Sequence, residues 1–249
     1  MDEFDFSRLD APAPKAPTPP PAPVANELLA IFQAGFERHR QGDLKSAVAI
    51  YREVLARDPK NPDALHLLGL AVHQSGRSAE GADLIAQAMV LKPGVAAMHN
   101  NRGLALVAAK RLEEAVADFD QAITLQPDLP EAHQGRGNAL QALGRMEEAV
   151  ASYDRGLTLR PNNAGGLSDR GNALKALGRR DEALAAYDAA LALDPKNLAA
   201  LYNRGGTLRE LGRLEEATES YRQAVAIRPD FALAQEGLAA CLRLKSGDA

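Results

Sequence analysis

The chain has 249 residues, a formal net charge of −4, one cysteine, no tryptophan and only 4% aromatic residues. Near-neutral acidity gives no electrostatic ground for nucleic acid or an anionic membrane as partner, and Cys241 alone excludes an internal disulfide framework or a Cys-rich metal site. A chain so rich in Ala, Leu, Arg and Glu favours long helices packed through small side chains. Residues 1–26 stand apart. Seven prolines, Pro12, Pro14, Pro17, Pro19, Pro20, Pro21 and Pro23, alternate with alanine there. Proline lacks the amide donor and drives its predecessor out of the helical region, so a disordered or polyproline-II spacer is expected. Its tip carries Phe4-Asp5-Phe6, readable as a docking motif or as a solubilising end, and Pro17–Pro20 satisfies a PxxP pattern. Neither a signal peptide nor a membrane span is legible, so no membrane insertion and a cytoplasmic location are expected.

From Leu28 the chain repeats every 34 residues without insertion or deletion, giving units 28–61, 62–95, 96–129, 130–163, 164–197 and 198–231 within 27–231. A partial unit with a C-terminal tail fills 232–249. A glycine recurs inside each first helix, at Gly35, Gly69, Gly103, Gly137, Gly171 and Gly205. In the second helix a small residue (Ala47, Gly81, Ala115, Ala149, Ala183, Ala217) precedes a bulky one (Tyr51, Ile85, Phe119, Tyr153, Tyr187, Tyr221). Crossing helices need small residues where backbones approach and large ones to fill the neighbouring holes. A mid-helix glycine costs about 1 kcal/mol against alanine, so six at one position imply close packing. Gly42, Gly76, Gly144, Gly178 and Gly212 supply a left-handed cap after the first helix. Lys110 takes that place in the third unit and should strain or reshape the turn. Acidic pairs such as Glu113-Glu114 and Glu147-Glu148 open the second helices, facing the positive end of the dipole. Prolines close every unit, from Pro59 to Pro229.

This pattern resembles the tetratricopeptide repeat, from Leu28 to the C-terminus. The resemblance implies an all-α fold, a right-handed superhelix (solenoid) of six helix pairs plus a capping helix from Ala232. It also implies a concave groove lined by first helices and a function as a protein-protein scaffold or adaptor. Carried over position by position, the peptide-binding groove comprises Phe32, Phe36, His66 and His73 at an apolar, His-bearing entrance. Asn100, Asn101, Gln134, Asn138 and Gln141 form its carboxamide-rich middle, and Asn172, Lys175, Tyr202, Asn203 and Arg209 its more basic exit. Asn and Gln offer both donor and acceptor and so can hold the main chain of an extended peptide; the plain alternative is that they keep an exposed helix face wet. The strings Arg136–Leu140 and Arg170–Leu174 (R-G-N-A-L), with Asn101-Arg102-Gly103 and Asn203-Arg204-Gly205, resemble bacterial relatives of O-linked N-acetylglucosamine transferases. That likeness implies a second reading, the substrate-recruiting arm of a glycosyltransferase-like enzyme whose catalytic part lies elsewhere. Self-assembly into a homo-oligomer is compatible with both.

No catalytic residue, metal site or cofactor is expected. His39, His66 and His73 lack a carboxylate or thiol at ligand spacing, and Gly135-Arg136-Gly137 lacks the third glycine and preceding strand of a dinucleotide fingerprint. Arg102, Arg136, Arg170 and Arg204 could form an anion strip. The structural reading is preferred: stems packed between helices and heads paired with Asp118, Asp120, Asp154 or Asp188.

Overall fold

A computed structural model describes residues 22–246; Phe4-Asp5-Phe6 and the PxxP segment lie outside the described residues. Those residues form thirteen α-helices and no strand. Helix α1 spans Ala22–Arg40, and it begins inside the segment expected to be a spacer. Pro23 allows this because it falls in the first turn, where the missing amide would have no intrahelical acceptor.

The remaining helices alternate in two kinds. First helices are α3 (Pro62–Gln74), α5 (Ala96–Ala108), α7 (Pro130–Ala142), α9 (Ala164–Ala176) and α11 (Leu198–Glu210). Second helices are α2 (Leu44–Arg57), α4 (Ser78–Leu91), α6 (Leu112–Leu125), α8 (Met146–Leu159), α10 (Arg180–Leu193) and α12 (Leu214–Ile227), and α13 (Ala232–Ser246) ends the array. Asn61, Asn163 and Asn197 cap α3, α9 and α11 through side chains that accept the amide three residues on. Most second helices start on arginine instead. Arg111, Arg145, Arg179 and Arg213 stand at the cap position and pair with Glu114, Glu148, Glu182 and Glu216 three residues later, at 2.6–2.7 Å. The second glutamate of each acidic pair is thus held by its own cap residue as well as by the helix dipole.

Each helix packs on its sequence neighbours, and the first helices of successive units also touch one another. Second helices of successive units stand farther apart and are bridged by long side chains, as where Arg52 of α2 reaches Glu80 of α4 at 3.6 Å. The array therefore curves with α1, α3, α5, α7, α9 and α11 on its inner, concave face. Between the layers lie the bulky residues of the second helices: Tyr51, Ile85, Phe119, Tyr153, Tyr187 and Tyr221 are all essentially fully buried. The glycine column gives them room. A Cβ on Gly103 would stand 2.8 Å from the Phe119 ring, and one on Gly171 2.5 Å from that of Tyr187. The tightest crossing is α3 on α4, where a Cβ on Gly69 would meet the carbonyl oxygen of Gly81 at 2.7 Å. Helix α13 buries Ala234, Gly237 and Cys241 but leaves Leu233, Leu242 and Leu244 exposed, so its outer face is less polar than a purely solvating cap would be.

The four arginines before the central glycines pair as the structural reading expects. Arg136 reaches Asp120 of the preceding unit at 2.6 Å and the Ser152 hydroxyl of its own; Arg204 bridges Asp188 and Ser220 in the same way. Arg170 pairs with Asp154. Arg102 differs, because Ala86 stands where the preceding unit would offer an aspartate; it turns to the buried Asp118 of its own unit at 2.6 Å.

Candidate functional site

The concave face begins apolar. Phe32 packs against the Tyr51 ring, its centroid 5.9 Å away, while Phe36 remains 47% exposed beside it. The nearby histidines are each tied to protein groups. His39 Nε2 lies 2.8 Å from Gln74 Oε1, and His73 Nδ1 lies 3.0 Å from Ser78 Oγ. Burial holds both His66 and His73 below the usual imidazole pKa, so both favour the neutral form.

Toward the C-terminus the carboxamides are bonded to each other and to the buried tyrosines. Tyr153 donates its hydroxyl to Asn138 Oδ1 at 2.8 Å or Gln141 Oε1 at 2.9 Å. Tyr187 donates to Asn172 Oδ1 at 2.8 Å, and Asn203 Nδ2 donates to the same oxygen at 2.8 Å. Burial raises the pKa of both tyrosines, so these hydroxyls keep their protons. Lys175 pairs with Glu210 at 3.0 Å, and Glu210 also takes Arg180. Burial opposes ionisation of Glu210, but the two cations outweigh it and hold the carboxyl below its ordinary range. Gln141, Asn172, Lys175, Ala176, Asn203 and Glu210 line an open recess of about 490 Å³. A larger recess, about 710 Å³, runs along the α1–α2 turn and α2, bounded by Asp43, Lys45, Arg52 and Arg77; it shares no residue with the groove. Arg209 is exposed near the end of α11, and Tyr202 packs at a tilt against both Tyr221 and Phe231, with ring centroids 6.0 and 5.4 Å away.

A register that sequence reading did not reveal ties the first helices together. The fifth residue of each unit faces the sixth residue of the next, 35 positions on. His66 Nε2 meets Asn101 Nδ2 at 3.0 Å, and Gln134 Nε2 donates to Asp169 Oδ2 at 2.8 Å. Phe32 and Leu67, the corresponding positions at the first junction, are apolar and pack against one core cluster. At two junctions the contact stays open. Asn100 faces Gly135, which has no side chain, and Asn100 Oδ1 is buried without a hydrogen-bond partner. Ser168 faces Asn203, whose amide has turned to Asn172, and Ser168 Oγ is likewise buried and unpartnered. Asn100 is only 8% exposed, so it forms the groove floor rather than its wall. The signal for this register was available as the spacing of 35 between polar residues, one more than the repeat.

Among the described residues no helix is long and apolar enough to cross a membrane. Two tetratricopeptide repeat family models match, one over residues 35–76, 103–144 and 137–178 and the other over 168–232. A curated relative, cellulose synthase 2 operon protein C of Komagataeibacter xylinus, is 42% identical over 65 residues, which is 26% of this chain and 5% of that protein. The chain thus spans a small fraction of that relative. Among solved structures, the type IV pilus biogenesis factor PilW has a TM-score of 0.77 at 22% identity, covering 85% of this chain and 98% of that one. PilF of Pseudomonas aeruginosa has a TM-score of 0.74 at 20% identity, covering 87% and 98%. YrrB, described as a repeat protein with an unusual peptide-binding site, has a TM-score of 0.62 at 22% identity, covering 75% and 96%. At such identities the structural likeness establishes the fold alone. The family models together take in well over half of the sequence, and this chain belongs to the tetratricopeptide repeat family.

Proposed function

We propose that this protein is a non-catalytic, cytoplasmic scaffold that holds an extended segment of a partner polypeptide along its concave groove. The recess between α7, α9 and α11 carries the reading: Gln141, Asn172, Lys175 and Asn203 bring amide and ammonium donors and amide acceptors to one open, inward-facing surface. Such groups match the alternating N–H and C=O of a main chain without demanding a particular side-chain sequence. Membership in a family of interaction modules supports the same reading, and so does the peptide-binding site ascribed to YrrB, a protein of similar fold. The glycosyltransferase-arm reading has only the R-G-N-A-L strings behind it.

The test is affinity capture from native lysate with the intact chain and with the Asn101/Asn138/Asn203→Ala variant, after circular dichroism shows equal helix content. A partner retained by the parent and lost by the variant supports the groove. Identical partners in both samples would refute it and move recognition to another surface.

A further inference from the structure

We infer that the middle of the groove selects a partner segment bearing a lysine or arginine, with the cationic group on Asp169. The inference rests on the groove reading above and specifies what the groove reads.

The junction between the fourth and fifth units carries it. At the junctions on either side, between the third and fourth units and between the fifth and sixth, Asn100 Oδ1 and Ser168 Oγ are unpartnered but lie beneath the groove surface, out of a ligand's reach. Between these two junctions lies Asp169. Its carboxylate takes one neutral hydrogen bond, from Gln134, and no Lys, Arg or His among the described residues pairs with it within 4.0 Å. Lys175, the cation on the same helix, is engaged by Glu210. A partly exposed carboxylate on the groove face that lacks a cation of its own asks for one from the ligand.

The acid is not a requirement of the fold. Equivalent positions in the other units hold Gln33, Leu67, Asn101, Gly135 and Asn203, and Asn101 closes its junction as a donor to His66 where Asp169 closes its own as an acceptor from Gln134. An amide would close the junction equally well, without the burial that pushes the Asp169 carboxyl above its usual range. Packed helices lie about 8–10 Å apart, and an extended chain advances about 3.3 Å per residue. Successive junctions are therefore about three residues apart along a bound segment, so a nonapeptide centred on Asp169 spans the junction on either side.

The experiment uses immobilised nonapeptide libraries with randomised flanks and a fixed central residue: lysine, arginine, norleucine or glutamate. The full chain and its Asp169→Asn variant, which keeps an acceptor for Gln134, are compared for binding at physiological salt. The intact chain should retain the lysine and arginine libraries about tenfold better than norleucine, the equivalent of about 1.4 kcal/mol, and the variant should lose that preference. Binding without preference for a cation, or a preference that survives Asp169→Asn, overturns this inference while leaving the groove reading intact. Failure of every library to bind overturns both.

Discussion

Replacing Lys110 with glycine should stabilise the protein. Five of the six first-to-second helix turns place glycine at φ between +73° and +86°, and the third unit places Lys110 there at φ +63°. The turn is not reshaped: Lys110 N donates to Val107 O at 3.0 Å and Arg111 N to Leu106 O at 2.9 Å, matching Gly144 with Gln141 and Arg145 with Leu140. The cost lies in the dihedral alone. An L-residue in the left-handed region is disfavoured by about 1–2 kcal/mol, and glycine gives back about 0.5–1 kcal/mol through its more flexible unfolded chain. The net gain from Lys110→Gly is about 0.5–1 kcal/mol. At about 2–4 °C per kcal/mol for a chain of this size, Tm should rise by ~1–4 °C. Gly144→Lys provides the mirror test, since a Cβ there meets nothing within 4 Å and any loss must come from the backbone. Thermal and urea midpoints by circular dichroism measure both. If Lys110→Gly lowers the midpoint, or both variants move it in the same direction, backbone strain at Lys110 is not the governing term.

Two glycines in the helices should respond oppositely to alanine. A Cβ on Gly156 would find its nearest neighbours at an ordinary 3.5 Å, so Gly156→Ala should stabilise by about 1 kcal/mol through helix propensity. Gly69→Ala sets a Cβ against the Gly81 backbone and should cost about 1–3 kcal/mol in the same melts. Burial raises the Asp169 carboxyl, so the native state binds its proton more tightly than the unfolded chain, and stability falls as pH rises through the carboxylate range. Asp169→Asn should therefore exceed the parent in urea midpoint at pH 7 and lose that advantage below about pH 4. Parallel curves would refute the desolvation argument.

The fold was legible because its determinants repeat. A glycine under every bulky second-helix residue, and an arginine sixteen positions from an aspartate, each recur with the unit, and position alone identifies them. The groove was legible by position but not by state. That Tyr153 would hold Asn138 and Gln141, or that Asn203 would turn to Asn172 rather than Ser168, depends on rotamers that compete for a few acceptors. The cap arginines were missed for a related reason: an arginine is a poor N-cap by propensity, and only its ion pair with the glutamate three residues on explains its place. The start of α1 at Ala22 shows how one proline can sit at the head of a helix while a proline run upstream argues against one.

The arginine bridges also give the array a direction. Buried-side arginines clasp neighbouring units from the third to the sixth; one continuous core runs from Ala82 to Ala200, and a second, eight-residue cluster including Leu201, Tyr221 and Cys241 closes the C-terminal end. The first two units have Ala34 and Leu68 in the arginine's place, and their core is divided into smaller clusters. In a solenoid, where each unit is held only by its neighbours, such unevenness sets the order of failure. Under mechanical load applied through its two ends, this chain would peel from the N-terminal helices inward. The carboxamide half of the groove would keep its shape after the aromatic entrance had come apart, behaving as an anchor with a yielding lip.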